Sequence, residues 1–580
     1  MKYSSTQNLM AELLFPNVMR FESGGDTAYF EEKYPSRDLP EGATVTRLGP
    51  SPTGYIHLGN LYTAFMNQKL ANQTQGVCFL RIEDTDNKRE VAGAVGSLIS
   101  SLSHFGIKFD EGVALKESAD GTYETGEYGP YFQSSRKEIY HTFVRKLILE
   151  GKAYPCFLTE DEINEIRTNQ EKKKLNPGIY GQYAKYRDVS PSEVSGLLKK
   201  KKYVIRLNAD YAKTNIDKSF IYEVAGLEEN AAEGTVSVLD GIRGELTFPQ
   251  NAMDVVILKS DGMPTYHFAH AVDDHLMRTT HVVRGEEWMS SLPIHLALFK
   301  ALGFDLPIYC HSTVLMKIDG DRKRKLSKRN DPELSLEYYR EDGYHPRAIL
   351  EYLLTIINSN FEEWRAANAD APIDEFYMTT EKMGVSGMLF DLEKLQDISK
   401  DVLVKIPAEE LYDYLVKWAR KFDRDAYYEF SADKGKLLKI LDLGRDGPKP
   451  RKDFAYASQI RNFVSYYYDD FFEIEEDVPE NISSEDAKIL LKGYLEGYNH
   501  SDDRTVWFDK IRELAVANGY AAKPKEYKKE PDKFKGHVGD VSTVIRLAIV
   551  GRTNSPDLYE IQQIIGEECS RARLASAIES

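Results

Sequence analysis

The fold class this sequence predicts is α/β, built on an open parallel sheet. Three observations predict it: a Pro/Gly-rich turn between an apolar strand and a helix, a second strand that closes a β-α-β unit, and a later recurrence of the same order of elements. The turn runs Arg47-Leu48-Gly49-Pro50-Ser51-Pro52-Thr53-Gly54-Tyr55-Ile56-His57-Leu58-Gly59-Asn60. Ala43–Arg47 reads as a strand and Leu58–Gln73 as a helix, so the turn lies at a strand's carboxyl end, where open parallel sheets bind ligands. Gly54 and Gly59 permit close backbone approach to a bound group, and His57 stands at a helix entry whose free N–H groups favour an anion.

Val77–Ile82 is the second strand, and it delivers Arg81-Ile82-Glu83-Asp84-Thr85-Asp86. A right-handed crossover makes the two strands parallel and puts Arg47 and Glu83 at one edge. One cation and one anion then face a shared crevice, which suits a zwitterionic amino acid. Glu83 lies closest to the strand end and is the carboxylate expected to face a ligand. The recurrence begins at the apolar run Asp254–Leu258, followed by the turn Asp261–Tyr266, a helix over Tyr266–Met277 and the strand His281–Arg284. Arg284 is thereby expected where Arg47 stands in the first unit. Lys323-Arg324-Lys325-Leu326-Ser327-Lys328-Arg329 is too polar for a core element and reads as a mobile basic loop over phosphates.

These motifs resemble the class I aminoacyl-tRNA synthetases, and specifically the bacterial glutamate–tRNA ligases. His57-Leu58-Gly59-Asn60 is similar to the phosphate-binding signature of that class, and Lys325-Leu326-Ser327-Lys328-Arg329 to its lysine-serine-lysine loop. The ligase's own marks stand in its order: Arg47 to Gly59, Arg81 to Asp86, Gly129 to Ser134, Pro264-Thr265-Tyr266, Val272 to Met277 and Arg284-Gly285-Glu286-Glu287. A lone His-x-Gly would be weak, but several ordered motifs together are specific.

The resemblance implies a Rossmann-type parallel-sheet catalytic domain, an inserted α+β domain that grips the tRNA acceptor end, and an all-α anticodon-binding region. The expected boundaries are an extension over 1–42, the two catalytic halves over 43–140 and 241–345, the insertion over 141–240, a helical stem-contact region over 346–400 and the anticodon region over 401–580. It implies ATP-dependent joining of L-glutamate to tRNA(Glu), with or without tRNA(Gln) as a second acceptor, by a monomer using Mg²⁺. His57, Lys325 and Lys328 would stabilise charge on the phosphates. Gly59, Glu287 and Ser327 would join His57 and Lys328 around ATP. Arg47, Ser51, Glu83, Tyr266, His270 and Arg284 would form the glutamate pocket. Position 270 is His where the family usually has Asn, and Gly49 replaces a usual alanine.

Alternatives are a glutamine–tRNA ligase, disfavoured by Arg47 and the bacterial-type motifs, and a tRNA-modifying paralogue, which would lack the long helical carboxyl-terminal part. A non-catalytic tRNA-binding protein would be expected to have lost His57 or Lys328.

Composition narrows the classes. With 75 basic and 92 acidic residues, the 580-residue chain carries a formal net charge of -17, against a general nucleic-acid coat. Local basic runs at Lys199–Lys202, Arg445–Lys452 and Lys523–Lys535 leave room for a tRNA-contacting face. Cys78, Cys156, Cys310 and Cys569 are far apart, which supports neither a disulfide framework nor a Cys-x-x-Cys site, and no structural zinc is expected. His270, His275 and His281 lack zinc-site spacing. Glu12 interrupts Leu9–Phe15, so no signal-peptide core is read, and no apolar stretch reaches membrane-spanning length; a cytoplasmic protein is expected. Residues 1–40 are polar and read as an added cap or a flexible arm.

Overall fold

The computed structural model describes residues 3–18, 26–52, 56–86, 91–116, 121–210, 228–230, 234–327, 329–445 and 450–579. The chain forms two compact units, one of Met1–Leu336 with Leu353–Asp391 and one of Glu337–Tyr352 with Leu392–Ser580.

The first unit starts with helices α1 (Ser5–Leu14) and α2 (Asp26–Lys33). Ser4 caps α1 by accepting from the Gln7 amide, while the Gln7 side chain accepts from the Ser4 amide, so two orphan amides are satisfied reciprocally. Met10, Ala11, Leu14, Phe15, Phe30 and Tyr34 are buried, which makes the described part of this extension a packed cap. Strand β1 (Val45–Leu48) is followed by α3 (Leu58–Asn72) and β2 (Val77–Leu80); β1 and β2 pair in parallel from Val45↔Val77 to Leu48↔Leu80. Helix α4 (Ala94–His104) leads to β3 (Glu111–Leu115), parallel to β2, and β4 (Thr122–Thr125) closes that edge antiparallel to β3. The β-α-β unit expected around the turn is therefore present, and α3 buries Leu58, Leu61, Phe65 and Leu70.

Helix α5 (Lys137–Leu149) leads to β5 (Ala153–Cys156), α6 (Glu160–Lys172), α7 (Pro191–Leu198), β6 (Val204–Leu207), β7 (Glu228–Asn230), β8 (Thr235–Asp240), β9 (Gly244–Pro249) and β10 (Val256–Leu258). Helix α1 packs on α5 and α7, and α2 on α5. Strands β7, β8 and β9 form an antiparallel sheet of their own.

The position of β10 corrects one expectation. The run Asp254–Leu258 does not start a second parallel unit: β10 pairs antiparallel with β6, which pairs antiparallel with β5. An apolar run states that a strand is buried, while its partner is set by which sheet edge the chain meets on its return. Asp254 anchors that junction by accepting from the Tyr154 hydroxyl at 2.6 Å and from Arg187 at 2.7 Å.

After β10 the chain forms α8 (Tyr266–Leu276), β11 (His281–Gly285), α9 (Leu292–Leu302) and β12 (Ile308–Ser312). Strands β11 and β12 are parallel, and β11 lies against β1, where the Thr280 amide donates to the Val45 carbonyl at 3.0 Å. Arg47 and Arg284 thus do arise from neighbouring strands.

Strands β13 (Leu315–Asp319) and β14 (Arg322–Lys325) form a hairpin, joined by β15 (Met388–Leu389) parallel to β13. This corrects the reading of Lys323–Arg329 as a wholly mobile loop, since its first residues lie in a strand. Arg324 binds Asp319 at 2.6 Å and grips Asp331 with both terminal nitrogens, at 2.6 and 2.8 Å, and such paired charges allow a polar run to be ordered.

The second unit is helical. Asp423, Asp433, Ser483, Asp503 and Asp557 each cap a helix there by accepting from backbone amides. Leu411, Leu415, Trp418, Leu437, Ile460, Tyr467, Leu490, Ile545 and Ile561 belong to its continuous core.

Candidate active site

The turn after β1 ends in His57, the extended residue before α3. Its backbone amide donates to Asn60 Oδ1 at 3.1 Å, which fixes the helix entry. A Cβ on Gly59 would stand 3.0 Å from both Cε1 and Nδ1 of His57, so glycine leaves the imidazole its place. Gly54 lies outside the described residues.

At the carboxyl ends of β1 and β2 is a buried charge cluster centred on Asp274 of α8. Arg47 Nε donates to both Asp274 oxygens at 3.1 Å, and Arg81 Nη1 donates to Oδ1 at 2.6 Å. Arg81 Nη2 meets Glu83 Oε1 at 3.1 Å. His270, one turn before Asp274, binds its Oδ2 through Nδ1 at 2.7 Å. Burial opposes the charge on Asp274, but Arg47, Arg81 and His270 hold its carboxyl well below the usual range.

Glu83 follows β2, and its amide donates to the Pro50 carbonyl at 2.9 Å, which seats it against the turn after β1. A Cβ on Gly49 would run into its carboxylate. The departure from alanine noted at position 49 thus makes room for Glu83. Burial pushes the Glu83 carboxyl up, against the pull of Arg81 and Arg47. Asp84 instead accepts from the Ser134 amide and hydroxyl, a local structural task.

His270 is fully buried with both nitrogens engaged. Facing a carboxylate, Nδ1 carries the proton, so Nε2 accepts from the Tyr309 hydroxyl at 3.0 Å. Burial, together with Arg284 and Arg47, lowers its pKa to about 3 against the pull of Asp274, so the ring is neutral at neutral pH. In this arrangement His270 orients Asp274.

Arg284 sits near the end of β11, buried, and makes no ion pair among the described residues. Its Nε donates to His311 Nε2 at 3.0 Å, its Nη1 to His295 Nδ1 at 3.1 Å, and its guanidinium lies 4.8 Å from the Tyr309 ring centre. Its Nη2 is buried without a hydrogen bond.

Tyr266 begins α8 and packs on Trp288 with ring centres 4.5 Å apart, beside His270 at 6.0 Å. Ser51 and Glu287 are exposed. Lys325 is exposed at the end of β14, and the Ser327 amide donates to Asp331 at 2.8 Å. Lys328 lies outside the described residues. Among the described residues, no group of three or more His, Cys, Asp or Glu could hold a metal ion, and no helix is long and apolar enough to cross a membrane.

Of the basic runs, Lys199–Lys202 is exposed, whereas Arg445 donates to the Leu403 and Ile406 carbonyls and so serves the fold. Sequence reasoning missed Asp274 as the hub, although it stands inside a quoted motif. It also missed Asp240, His295 and His311, which carry no local signal.

Residues 43–397 match the family model described as the catalytic domain of class I tRNA synthetases (E and Q), and residues 525–578 match that of an anticodon binding domain. The chain is 52% identical to a glutamate–tRNA ligase of Acetivibrio thermocellus, over 97% of this chain and 98% of that one. It is 45% identical to one of Clostridium perfringens strain 13, over 98% and 100%. Among solved structures it is similar to a glutamate tRNA ligase from Elizabethkingia meningosepticum in complex with its amino acid. There the TM-score is 0.69 and the identity 27%, with 93% of this chain and 99% of that one covered.

Proposed function

This chain belongs to the glutamate–tRNA ligase family of class I aminoacyl-tRNA synthetases, and from that premise we propose how its residues join L-glutamate to tRNA(Glu). The α-carboxylate of glutamate attacks the α-phosphorus of ATP, diphosphate leaves, and a terminal ribose hydroxyl of the tRNA then takes the glutamyl group and releases AMP. The nucleophile is already ionised, so positioning and charge stabilisation supply the catalysis. Mg²⁺ enters as part of the Mg·ATP substrate. His57, Lys325 and Lys328 stabilise charge on the phosphates, with Gly59, Ser327 and Glu287 beside the nucleotide. Glu83 takes the ammonium of glutamate. Arg47 and Arg284 take its two carboxylates, with Ser51 and Tyr266 lining the pocket.

The observation that carries this reading is the state of Arg284. Arg47 already shares Asp274, but Arg284 is a buried cation with one unbonded nitrogen and two imidazoles as its polar partners. An uncompensated buried charge costs several kcal/mol, and a substrate carboxylate relieves that cost where a neutral amide does not.

The insertion grips the acceptor end and the helical unit reads the anticodon, the latter supported by the anticodon-domain match over residues 525–578. The enzyme works in the cytoplasm as a monomer. The test is acylation of purified tRNA(Glu) and tRNA(Gln) with labelled glutamate and labelled glutamine. Glutamate on tRNA(Glu) supports the reading, and glutamate on both tRNAs makes the enzyme non-discriminating. Transfer of glutamine, or of nothing, overturns it.

A further inference from the structure

We propose that His295 and His311 are positioning residues that orient Arg284 toward the substrate carboxylate without neutralising it, and that Asp240 sets this arrangement by fixing the His311 tautomer. The proposal rests on the reading of Arg284 as a glutamate-binding residue.

The hydrogen bonds settle where the protons are. Asp240 Oδ2 lies 2.6 Å from His311 Nδ1, so that nitrogen carries the proton and Nε2 offers its lone pair to Arg284 Nε. Asp240 is itself held by the Ile242 and Arg243 amides at 3.0 Å and by the His311 amide at 3.2 Å. On the other side, His295 Nδ1 accepts from Arg284 Nη1, so its Nε2 carries the proton and donates to His267 Nδ1 at 3.0 Å. A third wall is the Tyr309 ring, whose face attracts the guanidinium. His295, His311 and Tyr309 are all fully buried.

The choice of imidazole matters chemically. A carboxylate in either place would orient Arg284 equally well, but it would also cancel its charge and compete with the substrate. A neutral imidazole accepts the N–H and leaves the charge in place. Burial first, and Arg284 among the neighbouring cations and imidazoles, keeps both rings toward the neutral form. Two of the three arms of the guanidinium are thereby fixed, and Nη2 is the one left over for a ligand. Arg47 has the opposite arrangement, with its counter-charge built in at Asp274.

Steady-state aminoacylation of tRNA(Glu) by the full chain tests this, with KM read separately for glutamate and for ATP. Arg284→Ala comes first; if it leaves the KM for glutamate unchanged, the reading of Arg284 falls and the proposal with it. Given a raised KM there, His295→Leu is expected to raise the glutamate KM about tenfold, the effect of losing one hydrogen bond to a charged group. The KM for ATP should stay within about twofold. His295→Asn places an amide oxygen where Nδ1 stood and should return the glutamate KM to within about threefold of the parent.

Asp240→Asn covers the case in which His295→Leu does not fold. Its amide can donate to His311 Nδ1, which moves the proton to Nε2 and sets a donor against the Arg284 N–H. A glutamate KM raised about tenfold is expected again. The proposal is overturned if both variants keep the parent's glutamate KM while Arg284→Ala raises it. Equal impairment of His295→Leu and His295→Asn, or a parallel rise in the ATP KM, overturns it as well, since either is what a merely structural role would give.

Discussion

Replacing Asp274 by Asn removes one negative charge from a site where it faces two buried guanidinium groups. The side chain keeps its volume, so no cavity term enters. Arg81 is fully buried and retains one acceptor in Glu83 at 3.1 Å, whereas Arg47 loses the carboxylate that its Nε shares at 3.1 Å. His270 faces an amide in place of the carboxylate 2.7 Å away. Breaking a buried ion pair by removing one partner costs about 3–5 kcal/mol. The first unit, of about 375 residues, unfolds with an entropy of about 0.8 kcal/mol per degree, so 4 kcal/mol corresponds to a fall in Tm of about 5 °C. Calorimetry that resolves the two units should show the transition of the first unit moving to lower temperature while that of the helical unit stays. A first-unit Tm within about 1 °C of the parent would refute the argument that Asp274 holds the arginines of the cluster.

Three further outcomes are expected. Gly49→Ala drives a methyl group into the Glu83 carboxylate and should raise the KM for glutamate about fivefold with ATP unaffected; equal KM values would mean that the end of the Glu83 side chain gives way to the methyl group at no cost to binding. His270 has its pKa lowered to about 3, so its neutral form is favoured in the fold; that stability is complete above about pH 6.5 and is lost as the pH falls toward 3. His270→Asn should therefore shrink the loss of stability between pH 7 and 4.5 by about 3 kcal/mol in denaturant titrations, and an unchanged slope would remove His270 from the account. Glu31, paired with His275 and Arg278 at 2.8 and 2.9 Å, has its pKa lowered to about 2 and side-chain exposure of 40%. Its contribution, about 1 kcal/mol after allowance for solvent screening, is present above about pH 4.5 and lost toward pH 2. Glu31→Gln should thus cost that amount at pH 7 and progressively less below pH 4.5; a constant gap would contradict it.

How far each part was legible follows from the range of the interaction that decides it. The unit β1-α3-β2 could be read because its signals are local: an apolar strand, a turn rich in glycine and proline, a helix entry at His57. Likewise Arg47, Glu83 and Arg284 stand at strand ends in motifs a few residues long. The strand at Asp254–Leu258 was legible as a strand, but its antiparallel partner β6 lies some fifty residues back, within the stretch read as the insertion. The basic run at Lys323–Arg329 showed its charge but not its order, which comes from Asp319 and Asp331.

The sequence by itself determined the class of fold and the family, and placed Arg47, Glu83 and Arg284 at or just past strand ends, because strand ends and helix entries are written in contiguous residues. Only the tertiary structure decided which of two buried arginines keeps its charge available. Asp274 reaches Arg47 across 227 positions and His311 reaches Asp240 across 71. A counter-charge or a neutral imidazole acts on its neighbour through distance and burial, and neither quantity exists before the chain has folded.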